Sequence, residues 1–161
     1  MKLYSTSVTT TAGRTGRAFS SDGRLEISLS VPKAIGGDDG PGTNPEQLFA
    51  AGYAACFDSA LRLVARREKI DLGADSGMTG EVQLVRLDGG RFGLSVILTG
   101  HFPAVSFDVG RALMSKAHEV CPYSNATRGN IPVELRLSAA DGASQVVAAA
   151  TVPAGARASA A

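Results

Sequence analysis

GTNPEQLFAAGYAACF, residues Gly42 to Phe57, opens a helix and then leaves it no wet face. Asn44-Pro45 supplies a cap residue followed by proline at the first helical position, and Thr43 with Glu46 also fits a capping box. From Leu48 to Phe57 every residue is apolar or small, so a helix expected to reach about Lys69 needs cover on all sides. One small sheet supplies less than that. A second copy of the chain, in a dimer, is the expected source of the rest.

Upstream of this helix the chain reads as strand. Lys2 to Thr10 and Arg17 to Ser20 look extended, and Ser21-Asp22-Gly23 is a turn. Leu25, Ile27 and Leu29 alternate with polar neighbours, the pattern of a half-buried strand, and Gly36 to Gly42 forms a loop. Downstream, Glu81 to Leu87 and Phe92 to Gly100 are strands joined by the hairpin signal Asp88-Gly89-Gly90. A second helix is expected from near Ser106 to about Val120, with Leu113, Met114, Ala117, Val120 and Cys121 on one stripe. Pro122 halts it or forces a new turn. Val133, Leu135 and Leu137 alternate in a last strand. The order βββ-α-ββ-α-β predicts an α+β domain over residues 1–138. Residues 139–161, alanine-rich with almost no large apolar side chain, are expected to form a mobile tail outside it.

Composition narrows the function classes. The 161 residues suit one domain, and 44% hydrophobic with 19% charged residues is globular composition. A net charge of +1 with interspersed signs argues against a nucleic-acid partner. The N-terminal residues lack a secretory apolar run, and Leu48 to Phe57 is half the length needed to cross a bilayer. A soluble cytoplasmic protein without a membrane partner is expected. Asn125-Ala126-Thr127 matches a glycosylation sequon, which an unexported chain would not use. Neither a P-loop nor G-x-G-x-x-G occurs, and the cysteines and histidines lack zinc-ligand spacing, so no cofactor and no metal are expected.

The two cysteines, Cys56 and Cys121, carry the remaining information. In reducing cytosol such a pair is catalytic, redox-active or simply buried. Both fall on inward faces of the two helices, and helices packed at about 8–10 Å bring facing side chains together. Burial raises a thiol pKa and makes the sulfur inert, so a reactive Cys56 requires a neighbouring cation. Arg14 and Arg17 of GRTGR are the nearest sources in sequence. A binding module with structural cysteines stays open at this point, as does a thiol hydrolase using Cys121 with His118.

GTNPEQLFAAGYAACF and AHEVCPYSNATRGNI (Ala117 to Ile131) resemble the two cysteine motifs of the OsmC/Ohr family. The CPYSNATRGN form is similar to the Ohr branch, the organic hydroperoxide resistance proteins, and the similarity covers nearly all of residues 4–138, including GRTGRAFSSDG. The alanine-rich tail lies outside the pattern, and Asp58 is an unusual polar residue after ACF.

The resemblance implies an intertwined homodimer, two central helices wrapped by sheets, that reduces organic and fatty-acid hydroperoxides. It implies Cys56 as the peroxidatic cysteine, Cys121 as the resolving one, Arg14 as the arginine contacting the reactive sulfur and Glu46 as the glutamate holding that arginine. It also implies re-reduction by dihydrolipoamide on a lipoylated protein rather than by thioredoxin. Phe49, Tyr53 and Phe57 are expected to make the substrate pocket greasy. Ten residues of helix separate Glu46 from Cys56 by about 15 Å, a span the guanidinium has to bridge. Arg17 is the fallback if Arg14 is solvated.

Overall fold

A computed structural model of the chain describes residues 1–138 and 144–149. It divides into two compact units, Met1–Leu48 and Phe49–Ala161.

The first unit carries a three-stranded antiparallel sheet of β1 (Val8–Thr11), β2 (Arg17–Ser20) and β3 (Glu26–Ser28) in that order. The extended N-terminal segment is thus shorter than expected, with strand pairing confined to Val8–Thr11. The β1–β2 connection is a single 3-10 turn, Gly13–Thr15, entered through left-handed Ala12 and Gly13 at φ 52° and 54°. Gly16 closes it. A Cβ there would lie 1.8 Å from the Thr11 carbonyl oxygen, so only glycine fits.

Helix α1 (Pro45–Arg67) begins as the caps require and runs from the first unit into the second. Asn44 Oδ1 accepts from the Gln47 N–H at 2.9 Å, while the Thr43 hydroxyl donates to Gln47 Oε1 at 2.7 Å. Of the two starts the sequence offers, the Asn44 cap is the one used, and Glu46 does not close a capping box with Thr43. Glu46 is released for another partner. The helix ends beyond Arg67 where Lys69 turns left-handed at φ 57°.

The second unit carries a four-stranded sheet in the order β4 (Gly77–Arg86), β5 (Phe92–His101), β6 (Val133–Ser138) and β7 (Ser144–Ala149). β4 and β5 form the expected hairpin, with Gly77 paired to His101 at one end and Arg86 to Phe92 at the other. β5 and β6 are parallel, so the chain has to cross over between them. Helices α2 (Phe107–Val120) and α3 (Pro122–Thr127) make that crossover. α2 is capped by Ser106, whose side chain accepts from the Val109 N–H.

Pro122 starts α3, the second of the two outcomes expected of it. Two expectations are corrected. Val120 leaves the apolar stripe and stands 42% exposed, whereas Leu113, Met114, Ala117 and Cys121 are fully buried. Ser144–Ala149, inside the stretch expected to be a tail, pairs antiparallel with β6 as an edge strand. The remainder of that stretch, 139–143 and 150–161, lies outside the described residues.

The second unit's core joins Tyr53, Phe57 and Leu61 of α1 to Leu113, Met114 and Ala117 of α2, over Val96, Leu98, Val133 and Leu135 of the sheet. Inward and outward residues alternate strictly along β6. By length and composition α1 is apolar enough to cross a bilayer, with mean hydropathy 1.3 over its most apolar window, longer than the stretch read from sequence. Its inward residues here are protein core. Phe57 is 0% exposed, and Phe57→Ala is expected to cost about 3–5 kcal/mol of stability, read as a lowered urea midpoint at unchanged slope.

Candidate active site

In the first unit Arg14 and Glu46 meet although 32 residues separate them. β3 acts as the common ruler. On one side the Leu29 N–H donates to the Gly16 carbonyl at 2.8 Å, which seats the turn that carries Arg14. On the other, the Thr43 N–H donates to the Ser28 carbonyl at 3.0 Å and the Ser30 N–H to the Thr43 carbonyl at 2.8 Å, which seats the start of α1. The guanidinium then grips the carboxylate with two bonds, Nη1 to Oε2 at 2.8 Å and Nη2 to Oε1 at 2.5 Å. Arg17, the fallback, is exposed and, among the described residues, reaches Glu26 at 3.9 Å.

The Arg14 hydrogen bonds hold the Glu46 carboxyl below the usual carboxylate range, against a smaller opposing effect of burial. Glu46 in turn holds the Arg14 proton more firmly. Since the folded carboxyl titrates below the unfolded one, the pair stabilises the unit above the unfolded value of about 4.3. That contribution is lost as pH falls through the lower folded value.

In the second unit Cys56 and Cys121 are both free thiols with their sulfurs 3.7 Å apart. The expectation that the two helices turn these side chains toward one another is met by this distance. Cys121 owes its place to Pro122. Proline disfavours helical torsions in the residue before it, and Cys121 is extended at φ −68°, ψ 124°. It is at once the last cap of α2, donating its N–H to the Ala117 carbonyl at 2.9 Å, and the first of α3, accepting from the Asn125 N–H at 3.0 Å. A disulfide is about 2.05 Å long, so the pair has a short distance left to close.

Burial pushes the half-buried Cys56 thiol up, the Tyr123 backbone N–H pulls it down, and the adjoining Cys121 thiol pushes it up again. As the second unit stands, Cys56 is a poor thiolate. Gly52, one turn before Cys56, leaves room for the Tyr123 ring: a Cβ there would lie 3.2 Å from the Tyr123 hydroxyl.

The aromatic residues expected to line a pocket separate into two kinds. Phe49 keeps exposed surface, whereas Tyr53 and Phe57 are 0% exposed and belong to the core beneath the sulfurs. Tyr53 packs edge-on to Phe49 and tilted against Tyr123, with its hydroxyl bonded inward. A cavity of about 650 Å³ lies elsewhere, walled by β4, β5 and Asn130–Pro132, and neither cysteine lines it. Asp58 accepts from Arg62 Nε at 2.8 Å, and its other oxygen is buried without a partner among the described residues.

The sequence reading missed a buried polar cluster under α3. The Tyr53 hydroxyl lies 3.1 Å from Ser124 Oγ and 3.1 Å from Thr127 Oγ1. His118, named above beside Cys121 for a thiol hydrolase, is half-buried and contacts Ser124 Oγ through Nδ1 at 3.0 Å. Burial holds its imidazole below the ordinary value, Arg128 adds to this, and Glu119 opposes it. Arg128 ties α3 back to α2 by donating to the His118 carbonyl at 2.7 Å and to Glu119 at 3.1 Å. The available signal was spacing: Cys121, Ser124 and Thr127 recur every third residue from the position just before Pro122.

The domain is α+β, with one thiol on a long, partly buried helix and the other at a proline-broken helix end. Residues 36–136 match the family described as OsmC-like protein, and the chain belongs to that family. It is 49% identical over 136 residues to an organic hydroperoxide resistance protein of Xanthomonas axonopodis, covering 84% of this chain and 95% of that one. The crystal structure of an organic hydroperoxide resistance protein from Legionella pneumophila superposes with TM-score 0.81 at 48% identity, covering 86% of this chain and 100% of that one. The corresponding values for OhrB of Bacillus subtilis are 0.77, 42%, 85% and 100%.

Proposed function

We propose that this protein is a thiol-dependent peroxidase that reduces organic hydroperoxides to alcohols; its relatives are named for organic hydroperoxide resistance. The observation that carries this most directly is the 3.7 Å approach of the two free thiols. Cys56 thiolate attacks the outer peroxide oxygen, the O–O bond breaks, and the alkoxide takes a proton to leave as alcohol. Cys56 is then a sulfenic acid. Cys121 displaces its hydroxyl as water, giving the Cys56–Cys121 disulfide before over-oxidation sets in. A dithiol such as dihydrolipoamide, carried on a lipoylated protein, returns both cysteines to thiols and becomes the cyclic disulfide. No cofactor or metal enters this cycle.

The raised Cys56 pKa makes a cation necessary for it. Arg14 is that cation in this reading. Its guanidinium keeps its charge at any working pH, and the two-bond grip of Glu46 fixes its orientation. It stabilises first the thiolate and then the departing alkoxide. We further read the working protein as a cytoplasmic homodimer. Support comes from the small side chains of Ala51, Ala55 and Ser59, which leave one stripe of α1 exposed in the single chain. A partner helix on that stripe would supply the cover that the sequence of α1 calls for.

Peroxide consumption tests the assignment. With dihydrolipoamide as reductant, tert-butyl or cumene hydroperoxide is expected to be consumed faster than hydrogen peroxide, and thioredoxin is expected to support little turnover. Equal rates with hydrogen peroxide would remove the claim for organic substrates. A second reading, a binding module with inert cysteines, is favoured by the raised Cys56 pKa alone. Thiol titration separates the two: a Cys56 that reacts only at alkaline pH supports the binding module.

A further inference from the structure

Helix α1 presents two groups, three residues apart and so on one face, to the same segment of the crossover. The Cys56 sulfur meets Cys121, and the Tyr53 hydroxyl meets Ser124 and Thr127. The two rungs run in opposite chain directions, Tyr53 before Cys56 and Ser124 after Cys121. Tyr53, Cys121 and Ser124 are 0% exposed and Thr127 is 5% exposed. A hydroxyl taken into such a place is costly unless bonded, and a phenylalanine ring would fill the core equally well. The polar rung therefore holds something that packing alone does not. Ser124 is gripped a second time by His118, and the Thr127 hydroxyl donates to the Tyr123 carbonyl at 2.9 Å, so the anchored atoms bracket the first turn after Cys121.

We propose that Tyr53 is a positioning residue for disulfide formation: its hydroxyl, bonded to Ser124 and Thr127, fixes the segment that carries Cys121 against Cys56. This rests on the peroxidase reading, in which the Cys56 sulfenic acid must meet Cys121 quickly. Two sulfurs held near bonding geometry react at a high effective concentration, because little motion remains to be lost. Without the hydroxyl, the dithiol form gains freedom that closure then has to remove. The disulfide form is anchored by its own bond and gains less. The disulfide is thereby disfavoured relative to the dithiol, whatever the overall stability does.

The test is the reduction potential of the pair, measured in glutathione buffers by alkylation and mass. In that exchange the two protein thiols give two electrons and two protons to glutathione disulfide, which becomes two thiols. Tyr53→Phe is expected to lower the equilibrium constant for the disulfide by about tenfold, a potential higher by about 30 mV. Adding Ser124→Ala and Thr127→Val to Tyr53→Phe is expected to shift it little further. After peroxide treatment the over-oxidised fraction of Cys56 should rise in the same variants. If Tyr53→Phe does not fold, the Ser124→Ala, Thr127→Val protein reads the same rung from its other end and is expected to show the same shift. An unchanged potential in a folded variant overturns the positioning role and leaves the peroxidase reading standing. A wild-type pair that stays dithiol at the most oxidising poise overturns both.

Discussion

Cys56→Ser is expected to abolish organic hydroperoxide turnover, to the level of the buffer. Peroxide reduction needs an atom that is anionic near neutral pH and that can accept an oxygen. A serine hydroxyl is neither ionised there nor oxidisable, and it cannot form the bond to Cys121. The substitution removes only the sulfur at a half-buried position of α1, so the variant should fold as the parent does. The check is the rate of tert-butyl hydroperoxide loss with dihydrolipoamide, next to circular dichroism of the same sample. Undiminished turnover would show that another group attacks the peroxide. Cys121→Ser should behave differently: one attack, followed by accumulation of sulfenic and then over-oxidised Cys56.

Arg14→Ala should lower the second-order rate with organic hydroperoxide at neutral pH by about 10²–10³, the usual loss when one preorganised electrostatic donor is removed. Burial and the neighbouring Cys121 already push the Cys56 thiol up, and the Tyr123 N–H is the opposing influence from within its unit. On the role proposed for Arg14, removing the guanidinium should lower the thiolate fraction further and move the pH midpoint of Cys56 alkylation to higher pH. Arg14→Lys should recover only part of the loss, since an ammonium cannot make the two-bond grip on Glu46. Alkylation rate against pH separates the two effects: a lowered peroxidase rate with an unmoved midpoint would assign Arg14 to the leaving alkoxide alone.

What could be read from the sequence was what local chemistry determines. Asn44-Pro45 started α1, Asp88-Gly89-Gly90 turned the β4–β5 hairpin, and alternation at Val133, Leu135 and Leu137 marked β6. Two inward helix faces in one core permitted the approach of the two sulfurs, and the fold brings them to 3.7 Å. The Arg14–Glu46 pair came only with the family motif, because it depends on β3 bringing two distant turns together through backbone bonds that leave no pattern in side chains. β7 was hidden for a related reason. Ser144–Ala149 is an edge strand held by backbone pairing to β6, and Val146 is 57% exposed, so small residues serve there and composition alone resembles a tail. Tyr53 and Phe57 were expected at a pocket because they flank Cys56 in sequence. Both are instead fully buried in the core, where the Tyr53 hydroxyl finds Ser124 and Thr127.

The proposed cycle meets its most direct test when fully reduced protein is given one equivalent of tert-butyl hydroperoxide, quenched with an alkylating agent and digested for mass spectrometry. A peptide pair joined through Cys56 and Cys121, two hydrogens lighter than the separate thiols, is the predicted product, with one equivalent of alcohol released. Both cysteines recovered fully alkylated, with the hydroperoxide intact, would contradict it.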